Sequence, residues 1–180
     1  MKVGFIGLGN VGSKLAKNLI NNNFSLCVLD LNTSLSSSYL KMGAEWGKNP
    51  KELAISCDVI ITCLPSPQAC SAVMEGSDGV IEGLSEGKIW LEMSTTDFEE
   101  VRRIGELVTS ANGQPMDCPV SGGCHRAATG NISIFAGGER KTFERALPVL
   151  KTLGRQILHT GELGSASILK VATNYLAATN

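Results

Sequence analysis

A glycine-rich stretch near the start of the chain has the residue types and spacing of a pyrophosphate-binding turn. Gly7, Gly9 and Gly12 form the pattern G-x-G-x-x-G between an apolar strand-like run and a stretch with helical periodicity. The first glycine allows a tight turn, the second lets the backbone approach a phosphate, and the third allows the helix to pack closely on the strand. The unpaired N–H groups and positive dipole end of that helix would then face the phosphates. Cofactor binding is predicted for Gly7, Leu8, Gly9, Asn10, Val11 and Gly12.

An acidic residue completes this pattern. Asp30 ends a second apolar run, Leu26 to Leu29, and follows Gly12 by 18 residues. This is close to the spacing of about 20 at which a carboxylate binds the ribose 2′-OH of a dinucleotide. The alternative is a glycine-rich turn followed by an ordinary strand-end aspartate. The carboxylate would repel a 2′-phosphate and no arginine follows it, so the sequence favours NAD over NADP.

Two polar residues near the end of the chain could do acid–base chemistry. Lys170 and Asn174 are four residues apart and therefore share one helix face. Small and apolar residues surround the lysine, which would lower its pKa toward use as an acid or base if they exclude water. The spacing alone fits a surface lysine on an amphipathic helix equally well.

The elements that must position these residues alternate between strands and helices, which predicts a doubly wound, mostly parallel Rossmann sheet. Ligands bind such sheets at the carboxyl ends of the strands, where three loops carry candidate residues. Leu64 and Pro65 follow one predicted strand, and Thr95 follows the next. The third loop offers a hydroxyl and unshielded backbone N–H groups suited to a carboxylate, at Ser121, Gly122 and Gly123. Any one of these loops could instead be a plain turn.

Two further expectations concern local structure. Met93 to Thr96 are expected to cap a helix over 97–111, and residues 118–130 are expected to form one long loop. Residues 1–160 are predicted to form the dinucleotide-binding domain, and residues 161–180 the start of an interdomain helix.

Composition narrows the function classes. The 180 residues are 43% hydrophobic and 18% charged, as expected of a globular chain, and the net charge of −1 suggests no polyanionic partner or membrane surface. The six cysteines form no C-x-x-C pair, so reduced thiols in a cytoplasmic protein, without a metal, are expected. No apolar run is long enough to span a bilayer.

Several motifs together resemble those of the β-hydroxyacid dehydrogenases, the family of 3-hydroxyisobutyrate dehydrogenase and tartronate semialdehyde reductase. They are F-I-G-L-G-N-V-G, C-L-P, S-T-T-D, D-C-P-V-S-G-G, A-x-x-G-N-I and, after Gly161, K-V-A-T-N, in the family's order over the whole chain. The resemblance implies transfer of hydride between NAD and a small carboxylate substrate.

The resemblance also assigns roles to particular residues. It implies cofactor contacts at Leu64, Pro65 and Thr95, substrate binding by the Ser121 to Gly123 turn, and catalysis by Lys170. It implies that Asn174 binds substrate or orients the lysine. Lys170 as general acid or base would take the hydroxyl proton in oxidation and protonate the carbonyl oxygen in reduction.

The sequence departs from the family at some positions. The family usually has Asp where this chain has Glu92, and Gly where it has Arg126. Arg126 and the neighbouring His125 either recognise an additional anionic or hydroxyl group of the substrate or lie in a solvated loop. Thr173 stands where 6-phosphogluconate dehydrogenases carry His, and Lys170 argues against imine reductases and non-catalytic nuclear relatives, which replace it.

The family resemblance also raises expectations about the whole protein. Family members continue into an all-helical domain that closes the substrate pocket and forms the dimer, so this chain is expected to be the N-terminal portion of a homo-oligomer, in the cytoplasm or mitochondrial matrix. Alone, it is expected to have little activity, with Lys170 too hydrated for its pKa to be tuned. The alternative function is a dinucleotide-binding module without turnover.

Overall fold

A computed structural model describes residues 1–179 apart from the side chain of Ala178, and within this range nine strands form a single sheet. The strands are β1 (Lys2–Ile6), β2 (Ser25–Leu29), β3 (Glu45–Trp46), β4 (Val59–Thr62), β5 (Ile89–Glu92), β6 (Gln114–Asp117), β7 (Val120–Ser121), β8 (Ile132–Gly138) and β9 (Gly154–Gly161). The helices are α1 (Gly12–Asn21), α2 (Ser36–Lys41), α3 (Pro50–Ser56), α4 (Pro67–Glu75), α5 (Phe98–Ser110), α6 (Gly123–Ala128), α7 (Arg140–Leu153) and α8 (Ser165–Thr179). Short 3₁₀ turns occupy Thr33–Leu35 and Val80–Gly83.

The strand order confirms the predicted doubly wound sheet. Its path is β3-β2-β1-β4-β5-β6-β8-β7, and β9 also pairs with β8. The pairs from β3 through β6 are all parallel, whereas β8 runs antiparallel to β6 and β7 and parallel to β9. The chain order reverses direction between β1 and β4, which is the point where doubly wound sheets bind ligands.

Helices cover both faces of the sheet, so the central strands are buried on both sides and read as continuous apolar runs. Alternate residues of one strand join different cores. Val59 and Ile61 pack with α1 and α7 on one face, whereas Ile60 packs with α3, α4 and α5 on the other. No helix within residues 1–179 is long and apolar enough to cross a membrane.

Three local expectations differ from the structure. The strand β3, two residues long, lies in a stretch that carried no strand prediction. Residues 118–130 are more than a loop, because they contain both β7 and α6. Asp97 caps α5, accepting hydrogen bonds from the N–H groups of Glu99 and Glu100, so the expected cap at Met93 to Thr96 is wrong. The last helix was expected to reach Asn180, which lies outside the described residues.

Candidate nucleotide and substrate site

One row of paired residues marks the carboxyl edge of the parallel sheet. Leu29, Ile6, Thr62, Glu92 and Asp117 are register partners in succession across five strands. The segments that follow these residues contain the predicted cofactor residues and, after β6, the Ser121 to Gly123 turn. The fold therefore places the beginnings of these segments along one edge.

The three glycines of the turn meet different surroundings. Gly7 has a φ of +99°, and a Cβ on it would lie 2.3 Å from the carbonyl oxygen of Cys63. A Cβ on Gly12 would lie 2.0 Å from the carbonyl oxygen of Gly7, so α1 starts in direct contact with the turn. A Cβ on Gly9 would meet no atom within 4 Å. Gly7 and Gly12 are thus required by the fold, and the space at Gly9 is open to a ligand.

The backbone N–H groups at this helix start are available for a ligand. Ser13 and Leu15 donate to the carbonyl oxygens of Gly9 and Val11, which begins the helical pattern. The N–H groups of Gly9, Asn10 and Val11 donate no hydrogen bond within residues 1–179, and the first turn of α1 contains no acidic residue. Free N–H groups at the positive end of a helix fit a pyrophosphate.

The structure brings Asp30 to this turn. Its Oδ2 accepts a hydrogen bond of 2.6 Å from the N–H of Leu8, and its Oδ1 accepts one of 2.8 Å from the N–H of Asn32. The side chain is half-buried. A carboxylate has about four acceptor positions, so these two bonds leave capacity for a ribose hydroxyl.

The loops after β4 and β5 are joined to each other. The N–H of Leu64 donates to Oγ of Ser94 over 2.8 Å, while Pro65 and Thr95 are exposed beside this contact. The sequence pointed to Ser94 as part of a loop after a strand and as part of a helix cap, but not to its contact with Leu64. That partner lies 30 residues away and could not be found from a local pattern.

A buried carboxylate at the end of β5 supports these loops. Glu92 is 1% exposed, and its carboxylate accepts hydrogen bonds from Oγ1 of Thr62, Sγ of Cys70 and the N–H of Ser94. Burial raises the pKa of Glu92, and these hydrogen bonds oppose the rise. The residue is therefore part of the framework that holds the predicted cofactor loops.

A second buried carboxylate holds the helix that carries the predicted catalytic residue. Asp117 is fully buried at the end of β6, and its carboxylate accepts hydrogen bonds from the N–H of Gly164 and from the N–H and Oγ of Ser167. The sequence placed Asp117 at a strand end but gave no sign of this connection to α8.

The predicted carboxylate-binding turn is accessible. Ser121 is half-buried in β7, and the next two residues are exposed glycines with φ of +131° at Gly122 and +73° at Gly123. A Cβ on Gly122 would lie 2.8 Å from Cδ of Arg126, so the arginine stem lies against the turn. Arg126 and His125 are exposed, and neither forms an ion pair within the described part of the chain.

Lys170 and Asn174 lie on α8 in different environments. Lys170 is 8% exposed, and burial lowers its pKa from the ordinary lysine value of 10.5. The expectation that this chain leaves the lysine strongly hydrated is therefore wrong, because α8 packs against β8, β9 and β6. Asn174 is exposed, and no hydrogen bond within residues 1–179 joins its side chain to Lys170.

Comparison with known families agrees with this architecture. A family model described as the NAD binding domain of 6-phosphogluconate dehydrogenase matches residues 2–161. The probable mitochondrial 3-hydroxyisobutyrate dehydrogenase of Dictyostelium discoideum is 34% identical over 172 residues, which cover 96% of this chain and 54% of the relative. The human cytokine-like nuclear factor N-PAC is 29% identical over 173 residues, covering 96% of this chain and 31% of the relative.

A solved structure gives the same result in three dimensions. Mycobacterium tuberculosis 3-hydroxyisobutyrate dehydrogenase with L-serine is 28% identical and superimposes with a TM-score of 0.91, covering 98% of this chain and 60% of that one. This chain spans about half the length of the Dictyostelium relative. The similarity therefore concerns the nucleotide-binding part of longer proteins.

Proposed function

The chain belongs to the family of the NAD binding domain of 6-phosphogluconate dehydrogenase, and on that premise we propose that it serves a dehydrogenase acting on a short β-hydroxyacid or its semialdehyde. The fold is an NAD-binding domain, and curated relatives include hydroxyacid dehydrogenases. The observation that carries the proposal is Lys170, which is 8% exposed on a helix anchored at the carboxyl edge of the sheet. A lysine with a pKa lowered by burial suits acid–base work.

The proposed mechanism gives each part of the edge a separate task. The free N–H groups of residues 9–11 bind the pyrophosphate, and Asp30 binds the adenosine ribose. NAD, when bound, supplies the hydride acceptor of the oxidation. The Ser121 to Gly123 turn holds the substrate carboxylate, with Asn174 binding substrate or orienting the lysine. In oxidation, Nζ of Lys170 takes the proton of the substrate hydroxyl; in reduction, it returns a proton to the carbonyl oxygen.

We further propose that the active protein contains chain beyond the domain described here. The M. tuberculosis structure is longer than the part that superimposes on this chain, and α8 exposes Ile168 by 53%, Val171 by 58% and Tyr175 by 70%. Exposed apolar residues on consecutive turns favour burial against further protein. In this proposal residues 161–180 start an interdomain helix, and the whole protein is a homo-oligomer.

The location of the protein is a further part of the proposal. The name of the Dictyostelium relative, a mitochondrial protein, supports a matrix location as an alternative to a cytoplasmic one.

The alternative function is an NAD-binding module without turnover. The similarity to the nuclear factor N-PAC keeps this alternative open. Retention of Ser121, Lys170 and Asn174 supports the enzyme instead, because a module that only binds nucleotide needs no acid–base residue beside a carboxylate-binding turn.

A substrate panel separates the two functions. Short β-hydroxyacids and their semialdehydes are supplied with NAD(H) or NADP(H) to a protein that carries this chain together with the remainder of its polypeptide. We expect NAD-dependent turnover of at least one substrate, and little or no turnover by residues 1–180 alone despite NAD binding. NAD binding by the longer protein, without turnover across the panel, would support the binding module.

A further inference from the structure

Asp117 connects two parts of the candidate site that are far apart in sequence. Its Oδ1 accepts a hydrogen bond of 2.8 Å from the N–H of Gly164, and its Oδ2 accepts bonds of 2.7 Å and 2.9 Å from the N–H and Oγ of Ser167. The side chain is 0% exposed. All three donors belong to the beginning of α8 or the residue just before it.

Helix α8 needs an acceptor from outside its own sequence. The first N–H groups of any helix lack partners within the helix, and a side chain at the preceding position commonly satisfies them. Here the preceding residue is Gly164, whose φ of +91° suits glycine and which has no side chain to accept them. The carboxylate of Asp117 takes this role from β6, and its negative charge also suits the positive end of the helix.

The neighbouring strand leaves room for this carboxylate. A Cβ on Gly137, the register partner of Asp117 in β8, would lie 2.3 Å from Oδ1 of Asp117. A second contact fixes the same turn, because Oγ1 of Thr160 and Oγ of Ser165 lie 2.7 Å apart. The start of α8 is therefore tied to β6 and β9 at defined positions.

We propose that Asp117 is a positioning residue of the dehydrogenase proposed above: it fixes the rotation and depth of α8 and so sets Lys170 relative to the Ser121 to Gly123 turn. The proposal rests on that function for the role of the lysine. Lys170 follows Ser167 by three residues, almost one helical turn, and Ser121 follows Asp117 by four. One carboxylate thus holds the helix of the proposed acid–base residue and begins the loop of the proposed substrate-binding turn.

Other charged groups on the elements packed against α8 do not provide this link. They include Arg102 and Glu106 on α5, Arg155 and His159 on β9, and Glu162 just before the helix. Within residues 1–179, none of their side chains forms a hydrogen bond with α8. Asp117 is therefore the charged side chain whose loss should change how this helix is seated.

The test compares the protonation of Lys170 in Asp117→Asn and in the unmutated chain of 180 residues. Acetic anhydride labels lysines competitively over a range of pH, and mass spectrometry of the Lys170 peptide gives the midpoint of its labelling. The asparagine keeps the shape but lacks one acceptor oxygen, so the helix start should shift and admit water. We expect the midpoint to rise toward 10.5, so that the unprotonated fraction of Lys170 at pH 8 falls about threefold or more.

Two other outcomes would overturn the proposal. An unchanged midpoint would mean that the cap only stabilises the fold. A fall in the midpoint would mean that Asp117 acts on the lysine as a charge, because removing a nearby negative charge favours the neutral amine. NAD affinity should stay within about twofold, since the nucleotide turn and Asp30 lie on other elements.

Two variants complete the design. Asn49→Ala removes an unrelated cap, the bond from the N–H of Glu52 to Oδ1 of Asn49 on α3, and should destabilise the fold without moving the Lys170 midpoint. If Asp117→Asn does not fold, Ser167→Ala decides, because it removes only the 2.9 Å bond to Asp117. A smaller rise is then expected, and no rise would refute the proposal. Since labelling needs no turnover, a failed substrate panel would leave this result independent.

Discussion

The backbone N–H of Leu8 donates a hydrogen bond of 2.6 Å to Oδ2 of Asp30, which joins the glycine turn to the end of β2. The aspartate therefore supports the turn as well as facing the predicted ribose position. Substitutions at Asp30 will consequently affect two properties, the shape of the turn and the discrimination between NAD and NADP.

Cofactor preference is the first prediction. NAD should bind the unmutated chain more tightly than NADP, because the carboxylate of Asp30 accepts from a ribose hydroxyl and repels a 2′-phosphate. Asp30→Asn keeps an oxygen for the N–H of Leu8 and should narrow the gap about tenfold or more, since hydrogen bonds to charged groups contribute roughly 1.5–3 kcal/mol. Titration calorimetry with both nucleotides measures the gap.

A charge-matched control for this prediction lies at the amino ends of the parallel strands. Asp58 accepts from the N–H of Lys2 before β4, and Asp58→Asn removes the same formal charge far from the turn. It should leave the preference unchanged. Equal or tighter binding of NADP by the unmutated chain would refute the assignment of Asp30.

Substitutions at two glycines of the turn form the second prediction, because one should weaken NAD binding and the other should destabilise the fold. Gly9→Ala should fold normally, because the added Cβ meets no atom within 4 Å, and should weaken NAD binding by at least about tenfold through collision with the pyrophosphate. Gly12→Ala should lower the free energy of unfolding by about 1–3 kcal/mol or more, because its Cβ would lie 2.0 Å from the carbonyl oxygen of Gly7.

Urea unfolding with and without NAD distinguishes these two effects. Stabilisation by NAD should be largely lost in Gly9→Ala while the stability without ligand is kept. An alanine at position 9 that binds NAD normally would show that the open space beside Gly9 is not the phosphate site.

The sheet was predictable because its central strands carry their own signal. Residues 59–62 and 89–92 are buried on both faces, so each strand is continuously apolar or nearly so and is bounded by turn residues. The strand β3 has only two residues, Glu45 and Trp46, and exists through pairing with Cys27 and Val28. Such a segment has no period of its own to detect, because tertiary pairing produces it.

The residues of the candidate site also fall into those predictable from a local pattern and those that depend on tertiary contacts. The glycines and Asp30 could be predicted as a dinucleotide pattern because their spacing lies within one continuous stretch. The roles of Glu92 and Asp117 could not, because each carboxylate depends on partners distant in sequence: Thr62 is 30 residues from Glu92, and Ser167 is 50 from Asp117. The low exposure of Lys170 likewise required the packing of α8, since the sequence alone also fitted a surface lysine.

The acid sensitivity of the fold provides a third prediction, centred on Arg103. Its guanidinium donates to Glu75 on α4 and to Glu100 on its own helix α5. Hydrogen bonds from Arg103, and then from Ser71, lower the pKa of Glu100 to about 2, and Arg103 also lowers that of Glu75. Carboxyls with lowered pKa in the folded state stabilise it above about 4.5, their ordinary pKa, and this stability is lost as pH falls toward 2.

Arg103→Gln should therefore reduce stability near neutral pH and flatten its decline with acid. Because the pairs are partly exposed, we expect about 0.5–1 kcal/mol for each. Urea unfolding between pH 3 and 7 measures the slope. Arg140→Gln removes the exposed pair with Glu144 and is the matched control, expected to keep the slope. An unchanged slope in Arg103→Gln would assign the acid sensitivity to other carboxyls.

Catalysis by Lys170 is the fourth prediction, and it concerns the longer protein proposed to carry this chain. Lys170→Met keeps an unbranched side chain on α8 but removes the proton acceptor, and turnover should fall by about 10²–10⁴-fold, the usual contribution of general acid–base catalysis. NAD affinity should change little, since the nucleotide turn is on other elements. Steady-state kinetics in the oxidative direction and calorimetry measure the two quantities.

The pH profile ties this loss to a proton rather than to packing. Oxidation needs the neutral amine, so turnover of the unmutated protein should rise with pH up to the pKa of Lys170, which burial places below 10.5. That rise should disappear from the residual activity of Lys170→Met, whereas Lys141→Met on the exposed side of α7 should retain it. Near-normal turnover with an unchanged profile in Lys170→Met would remove the lysine from the mechanism. Proton transfer would then have to come from a group outside the turn and α8. Among the described residues, neither of these segments contains a second buried amine.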